Sequence, residues 1–130
     1  MTYLVDTMTF VRAFADGLDA LPRRVRNLLR DPKQDFLLST VSLSEIAIKT
    51  AIGKLNFSFE HVAKGMADLR FTLLAYKERH VQALFSLPWF ADHRDPFDRM
   101  LIAVAVAQEL PIIAGDKHFS RYRGIKVIWN

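Results

Sequence analysis

At 130 residues, 51% of them hydrophobic and ten of them Phe, the chain is expected to form one domain (1–130) with its own core, which excludes a disordered segment. The absence of Cys excludes a disulfide framework, a thiolate metal site and a Cys nucleophile. A formal net charge of +4 is compatible with a polyanionic partner without requiring one.

The opening MTYLVDTMTF has neither the basic start nor the small-residue cleavage site of a signal peptide. No apolar run approaches the roughly 20 residues that span a bilayer, so a cytoplasmic protein is expected. Thr2 to Val5 reads as a buried strand. It ends at Asp6-Thr7, and a helical pattern follows through Phe10, Val11 and Phe14 to Gly17. A carboxylate where a strand gives way to a helix is the usual site position in open α/β sheets, the alternative being that Asp6 or Thr7 merely caps the helix.

Leu21 to Arg30 is predicted to be amphipathic, with Leu21, Val25, Leu28 and Leu29 on one face. Arg23, Arg24, Arg26 and Arg30 form the densest basic cluster. They suit either a solvated face or contacts to RNA phosphates or an acidic partner. Phe36 to Thr40 is a second strand candidate. Ser42-Leu43-Ser44-Glu45 then matches a capping box, with Lys49 one turn beyond Glu45 and Gly53 as a left-handed stop.

A helix is expected from Phe59 to about Arg70, a short strand from Phe71 to Tyr76 and a helix from Lys77 to Leu87. His80 is isolated and reads as a surface or core histidine. Trp89 and Phe90 fall in a loop after Pro88. The next stretch, HRDPFDRMLIAVAVA, is the most informative. Asp95 is a candidate N-cap, Pro96 fits the first helical position, and Asp98 falls in the first turn, where the helix dipole favours negative charge. From Met100 the helix is apolar almost all round and therefore buried, which brings its acidic end to the rim of the core. Pro111 to Ala114 is a further strand with Asp116 just beyond it, and Ile125 to Trp129 closes the chain. Alternation of this kind predicts an α/β sandwich with a mostly parallel sheet.

Asp6, Glu45, Asp98 and Asp116 all fall at strand-to-helix junctions or helix N-termini. In a parallel sheet these face one edge, so the four can converge. Clustered carboxylates repel unless protons or cations neutralise them, and oxygen-only ligands select hard ions such as Mg²⁺ or Mn²⁺. No His-rich zinc pattern, Gly-rich phosphate loop or Ser nucleophile motif competes. A receiver-like phosphoacceptor domain would carry adjacent acids after the first strand, where this chain has Asp6 alone.

YLVDT, SLSEIAIK with a following GKL, HRDPFDRMLIAVA and AGDKHFSRY together resemble the PIN domain, and within it the VapC-type toxins of bacterial toxin–antitoxin pairs. The resemblance covers almost the whole chain. It implies an Mg²⁺- or Mn²⁺-dependent endoribonuclease with Asp6, Glu45, Asp98 and Asp116 at its site. Asp6, Asp98 and Asp116 would be the metal ligands, and Glu45 would help hold metal or orient water. Asp95 is an extra acid of this subgroup, read as a cap or a support for the ligands. Arg94, Arg99, Lys49 and Lys117 are candidates for phosphate contacts. The implied partners are RNA, a VapB-like antitoxin and a second copy in a homodimer, for which Phe36, Trp89 and Phe90 offer aromatic surface. In two places the chain departs from the family pattern: Ala114 stands where many relatives have Thr or Ser, and Met8 where many have His. Ala114 supports an alternative, a catalytically weak PIN module that binds RNA or protein.

Overall fold

The computed structural model describes residues 1–130. Five strands form one sheet: β1 (Thr2–Val5), β2 (Asp35–Ser39), β3 (Phe71–Leu74), β4 (Ile112–Ile113) and β5 (Val127–Ile128). Their order is β3-β2-β1-β4-β5 and every pairing is parallel. Six helices connect or flank them: α1 (Thr7–Asp16), α2 (Arg23–Arg30), α3 (Thr40–Ala51), α4 (Phe59–Asp68), α5 (Glu78–Ser86) and α6 (Pro96–Gln108). The α/β architecture expected from the alternation is present, and the sheet is wholly parallel.

The strands are short and apolar because both faces are covered, and successive side chains enter opposite cores. Tyr3 and Val5 pack with Phe10, Val25, Phe36 and Phe71 on the side of α1, α2 and α4. Leu4 points the other way, to Leu101, Ile102, Val104 and Ala105 of α6. The same alternation sends Ile113 to the first core and Ile112 to the second. Leu101 to Ala105 are all buried, as the unbroken apolar run requires. Gly53 takes the expected left-handed φ of 82° just past α3.

Three expectations need correction. Phe36 is buried, stacked between Tyr3 and Phe71, and offers no surface for a second copy. The helix carrying Glu45 begins at Thr40 and is capped by Ser39, whose Oγ accepts from the Val41 NH. The SLSE box is therefore interior: Ser42 bonds the Thr7 hydroxyl at 2.8 Å, and Glu45 lies in the second turn. A strand that feeds straight into a helix leaves its last residue to cap, so the cap moved upstream. Helix α2 starts two residues later than predicted, because Pro22 holds the residue before it, Leu21, in extended backbone (φ −101°, ψ 156°). His80 is a core histidine; its Nδ1 accepts from the Lys77 NH and its Nε2 lies 2.8 Å from Gln108 Oε1.

Helix α4 approaches α1 through Gly65, where a Cβ would lie 2.8 Å from Cγ of Phe14. Phe14 is itself held between Phe10 and Phe57. Gly65→Ala should therefore destabilise the protein by about 1–3 kcal/mol through overpacking, despite the better helix propensity of Ala. Thermal melting checks this; an unchanged or raised Tm would mean that Phe14 yields.

Candidate metal centre

In the sheet order, β1 lies between β2 on one side and β4 on the other, and the chain reverses its direction of travel there. Such a switch point opens a crevice at the carboxyl ends of the strands. A cavity of about 420 Å³ occupies it, and Asp6, Glu45, Asp98 and Asp116 all line it. The four predicted acids are thus brought together, from four separate elements.

Asp6 follows β1 and caps α1, its Oδ1 accepting from the Thr9 NH at 3.0 Å. Capping and exposure to the cavity are both true of this residue. Burial raises its carboxyl from the ordinary 3.8 to about 7; the Thr9 hydrogen bonds oppose this, while the charges of Asp98 and Glu45 add to it. Asp98 is not the cap of α6. Asp95 holds that place, its Oδ1 accepting from the Asp98 NH at 2.9 Å, with Pro96 at the first helical position. Asp98 is therefore spared for the cavity. Burial and then the neighbouring Asp95 charge raise it to about 6, against a hydrogen bond from His93.

Asp116 caps the 3₁₀ turn Lys117–Arg121 and accepts at Oδ1 from the backbone NH of His118. Burial pushes its carboxyl up, but the His118 hydrogen bonds and charge outweigh that and hold it below the ordinary range. Glu45 is only 3% exposed. Its Oε2 accepts from Lys49 Nζ at 2.6 Å, while its buried Oε1 has no partner. Burial pulls the Lys49 ammonium down, but Glu45, Asp95 and Asp98 more than compensate and raise it.

This donor set fits a hard divalent cation. The acids that line it offer carboxylate oxygens, burial raises the carboxyls of Asp6 and Asp98, and a buried oxygen stands unpartnered. A ring nitrogen of His93 lies within 4.8 Å of the Asp98 and Asp116 oxygens, but both nitrogens of that ring are already hydrogen-bonded.

Of the predicted phosphate contacts, only Lys49 lines the cavity. Arg94 binds the Ala91 carbonyl, and Arg99 binds the Pro88 carbonyl under Trp89. Arg12 and Trp129 line the wall unforeseen, the guanidinium 5.8 Å from the indole centroid. Helical spacing from Met8, which also lines the cavity, would have found Arg12; Trp129 arrives by tertiary packing. Gly115 is needed beside it, since a Cβ would lie 2.8 Å from the Trp129 ring. Ala114 is buried in the α6-side core and not part of the cavity lining. An apolar cavity of about 260 Å³ between α3 and α4 contains no titratable side chain.

The structure thus defines a parallel α/β domain with a carboxylate pocket at its switch point. Residues 3–125 match the PIN domain family, and the chain belongs to that family. No curated protein matches the sequence. Among solved structures, the chain is similar to one in VapBC2 from Rickettsia felis bound to a fragment of promoter DNA, with TM-score 0.75 and 14% identity over 100% of both chains. It also resembles a chain of DNA-bound VapBC from Salmonella typhimurium, with TM-score 0.72 and 18% identity over 98% of this chain and 97% of that one. A third is VapBC-5 from Mycobacterium tuberculosis, a member of the VapBC family of toxin–antitoxin systems, with TM-score 0.59 and 18% identity over 99% and 98%. At these identities the likeness is one of fold. No helix is long and apolar enough to cross a membrane.

Proposed function

We propose that this single PIN domain is an Mg²⁺- or Mn²⁺-dependent endoribonuclease and the toxin of a toxin–antitoxin pair, acting in the cytoplasm. The observation that carries the proposal is the cavity lined by Asp6, Glu45, Asp98 and Asp116 at the sheet's switch point. Asp6, Asp98 and Asp116 would hold the cation, and Glu45 would hold it or orient the attacking water through its unpartnered Oε1. When bound, the cation supplies an activated water and stabilises charge developing at phosphorus. Lys49 offsets the charge of Glu45, and with Arg12 it places cationic groups at the wall for a phosphodiester backbone. Ala114 lies in the core and outside the cavity lining, which favours the enzyme over a catalytically weak module that binds RNA or protein. Purified protein should cleave RNA with Mg²⁺ or Mn²⁺ and stop on chelation; no cleavage with either cation would reject the enzyme.

The VapBC neighbours support a VapB-like antitoxin as partner. Phe85 is 87% exposed, and with Val81 and Trp89 it offers apolar surface for a homodimer. Sedimentation should give a dimer at micromolar concentration, and a monomer alone would count against that assembly.

A further inference from the structure

His93 opens the segment that carries Asp95 and Asp98, yet spacing gives it no task. It is 5% exposed, and both its nitrogens are engaged. Nδ1 lies 2.8 Å from the Tyr122 hydroxyl, and Nε2 lies 3.1 Å from Asp98 Oδ2. Arg99 Nη1 donates to that same hydroxyl at 3.4 Å. A carboxylate only accepts, so Asp98 accepts from Nε2–H and leaves Nδ1 to accept the Tyr122 hydrogen, while the Tyr122 oxygen accepts from the donor-only guanidinium of Arg99. The ring proton then sits on Nε2 and is donated to Asp98. The chain runs in one direction, from a cation to an anion, and each member satisfies the next. It grips Asp98, which lines the cavity, by Oδ2.

A second ring repeats the arrangement. His118 lies parallel to His93, the planes 4° apart and the centroids 5.3 Å apart, and its Nδ1 is 2.8 Å from Asp116 Oδ1. Two stacked imidazoles therefore brace two of the four carboxylates. A flipped His93 would turn ring carbons toward both Asp98 and Tyr122, so the Tyr122 hydroxyl fixes the orientation.

We propose that His93 is a positioning residue, held by Tyr122 and Arg99 in its Nε2–H tautomer, that aims the Asp98 carboxylate at the cation. The inference rests on the metal-dependent reading above. His93 is not itself a ligand, because the nitrogen facing the carboxylates carries the proton.

The test is calorimetric titration of the full chain with Mn²⁺, alongside RNA cleavage and thermal melting. His93→Leu should weaken Mn²⁺ binding by roughly 10–100-fold and lower kcat for RNA with KM little changed. His93→Gln, whose amide N–H reaches toward Asp98, should recover most of the affinity. Tyr122→Phe should weaken Mn²⁺ less, and the histidine ¹⁵N spectrum should lose its single Nε2–H tautomer, a readout that packing alone would not move. Wild-type Mn²⁺ affinity in a folded His93→Leu protein would overturn the proposal. If that variant does not fold, unchanged affinity and tautomer in Tyr122→Phe overturn it instead. Failure of the wild type to bind Mn²⁺ would sink the metal reading and this inference with it. Wild-type binding with unaffected variants would sink only the role of His93.

Discussion

Asp98→Asn protein is expected to fold normally and to lose RNA cleavage by about a hundredfold or more. The substitution removes one negative charge from the cavity with almost no change of shape. The cap of α6 is untouched, because Asp95 provides it and Asp98 contributes only its backbone NH. The Asn oxygen can still accept from His93 Nε2, so the buried ring keeps a partner. What disappears is the anionic oxygen offered to the cation. Were Asp98 present only for the helix dipole, its loss would cost roughly 0.3–1 kcal/mol of stability and leave cleavage near normal. Asp95→Asn is the comparison: its Oδ1 acceptor and the cap survive, and most of the cleavage should survive with them. Cleavage rates in Mg²⁺ and Mn²⁺, measured beside melting curves of both variants, separate the two accounts. Normal turnover by Asp98→Asn protein would remove this residue from the site.

Metal-free protein should become less stable as pH rises from about 4 to about 7. Asp6 and Asp98 are both raised in the folded state, from 3.8 to about 7 and about 6. The unfolded chain releases these protons first, near pH 4, while the folded chain still holds them. Stability from this source is thus complete below the unfolded values and is lost as pH climbs through the folded ones. For Asp6, a buried residue, the rise corresponds to on the order of 4 kcal/mol. A divalent cation competes with the same protons, so it should raise Tm more at pH 8 than at pH 5. Asp6→Asn keeps an oxygen for the Thr9 NH and drops the buried charge. At pH 8 without metal it should be more stable than the wild type by a few kcal/mol, and it should respond weakly to Mn²⁺. Melting curves with chelator and with Mn²⁺ across this range provide the check. A pH-independent cation effect, or an Asp6→Asn protein that melts lower at pH 8, would contradict the buried-charge account.

Much of this architecture is written locally. Val5-Asp6-Thr7 contains both the end of a strand and the cap of the following helix. The apolar run after Met100 contains its own burial, and Asp95-Pro96 its own start. Signals of this kind act over three or four residues, so they survive in the sequence as periodicity and capping chemistry. Because the strands run parallel, those local signals also imply one shared edge, which is how four acids so far apart in the chain could be expected to meet.

Where the sequence reading failed, the deciding contact was distant or the local signal was ambiguous. SLSE looks like a cap until the strand before it is seen to run directly into the helix, which leaves Ser42 to bond Thr7, 35 residues away. Phe36 looks like spare aromatic surface until Tyr3 and Phe71 are placed on either side by the strand register. The sequence by itself determined the element order, the parallel sheet and the acids at its edge, because each is encoded by neighbours along the chain. Only the tertiary structure decided which carboxylate oxygens are free, that Arg12 and Trp129 wall the cavity, and that His93 meets Tyr122 across 29 residues. Those outcomes depend on the direction of individual hydrogen bonds and on which side chains packing forces together, and no spacing rule carries that information.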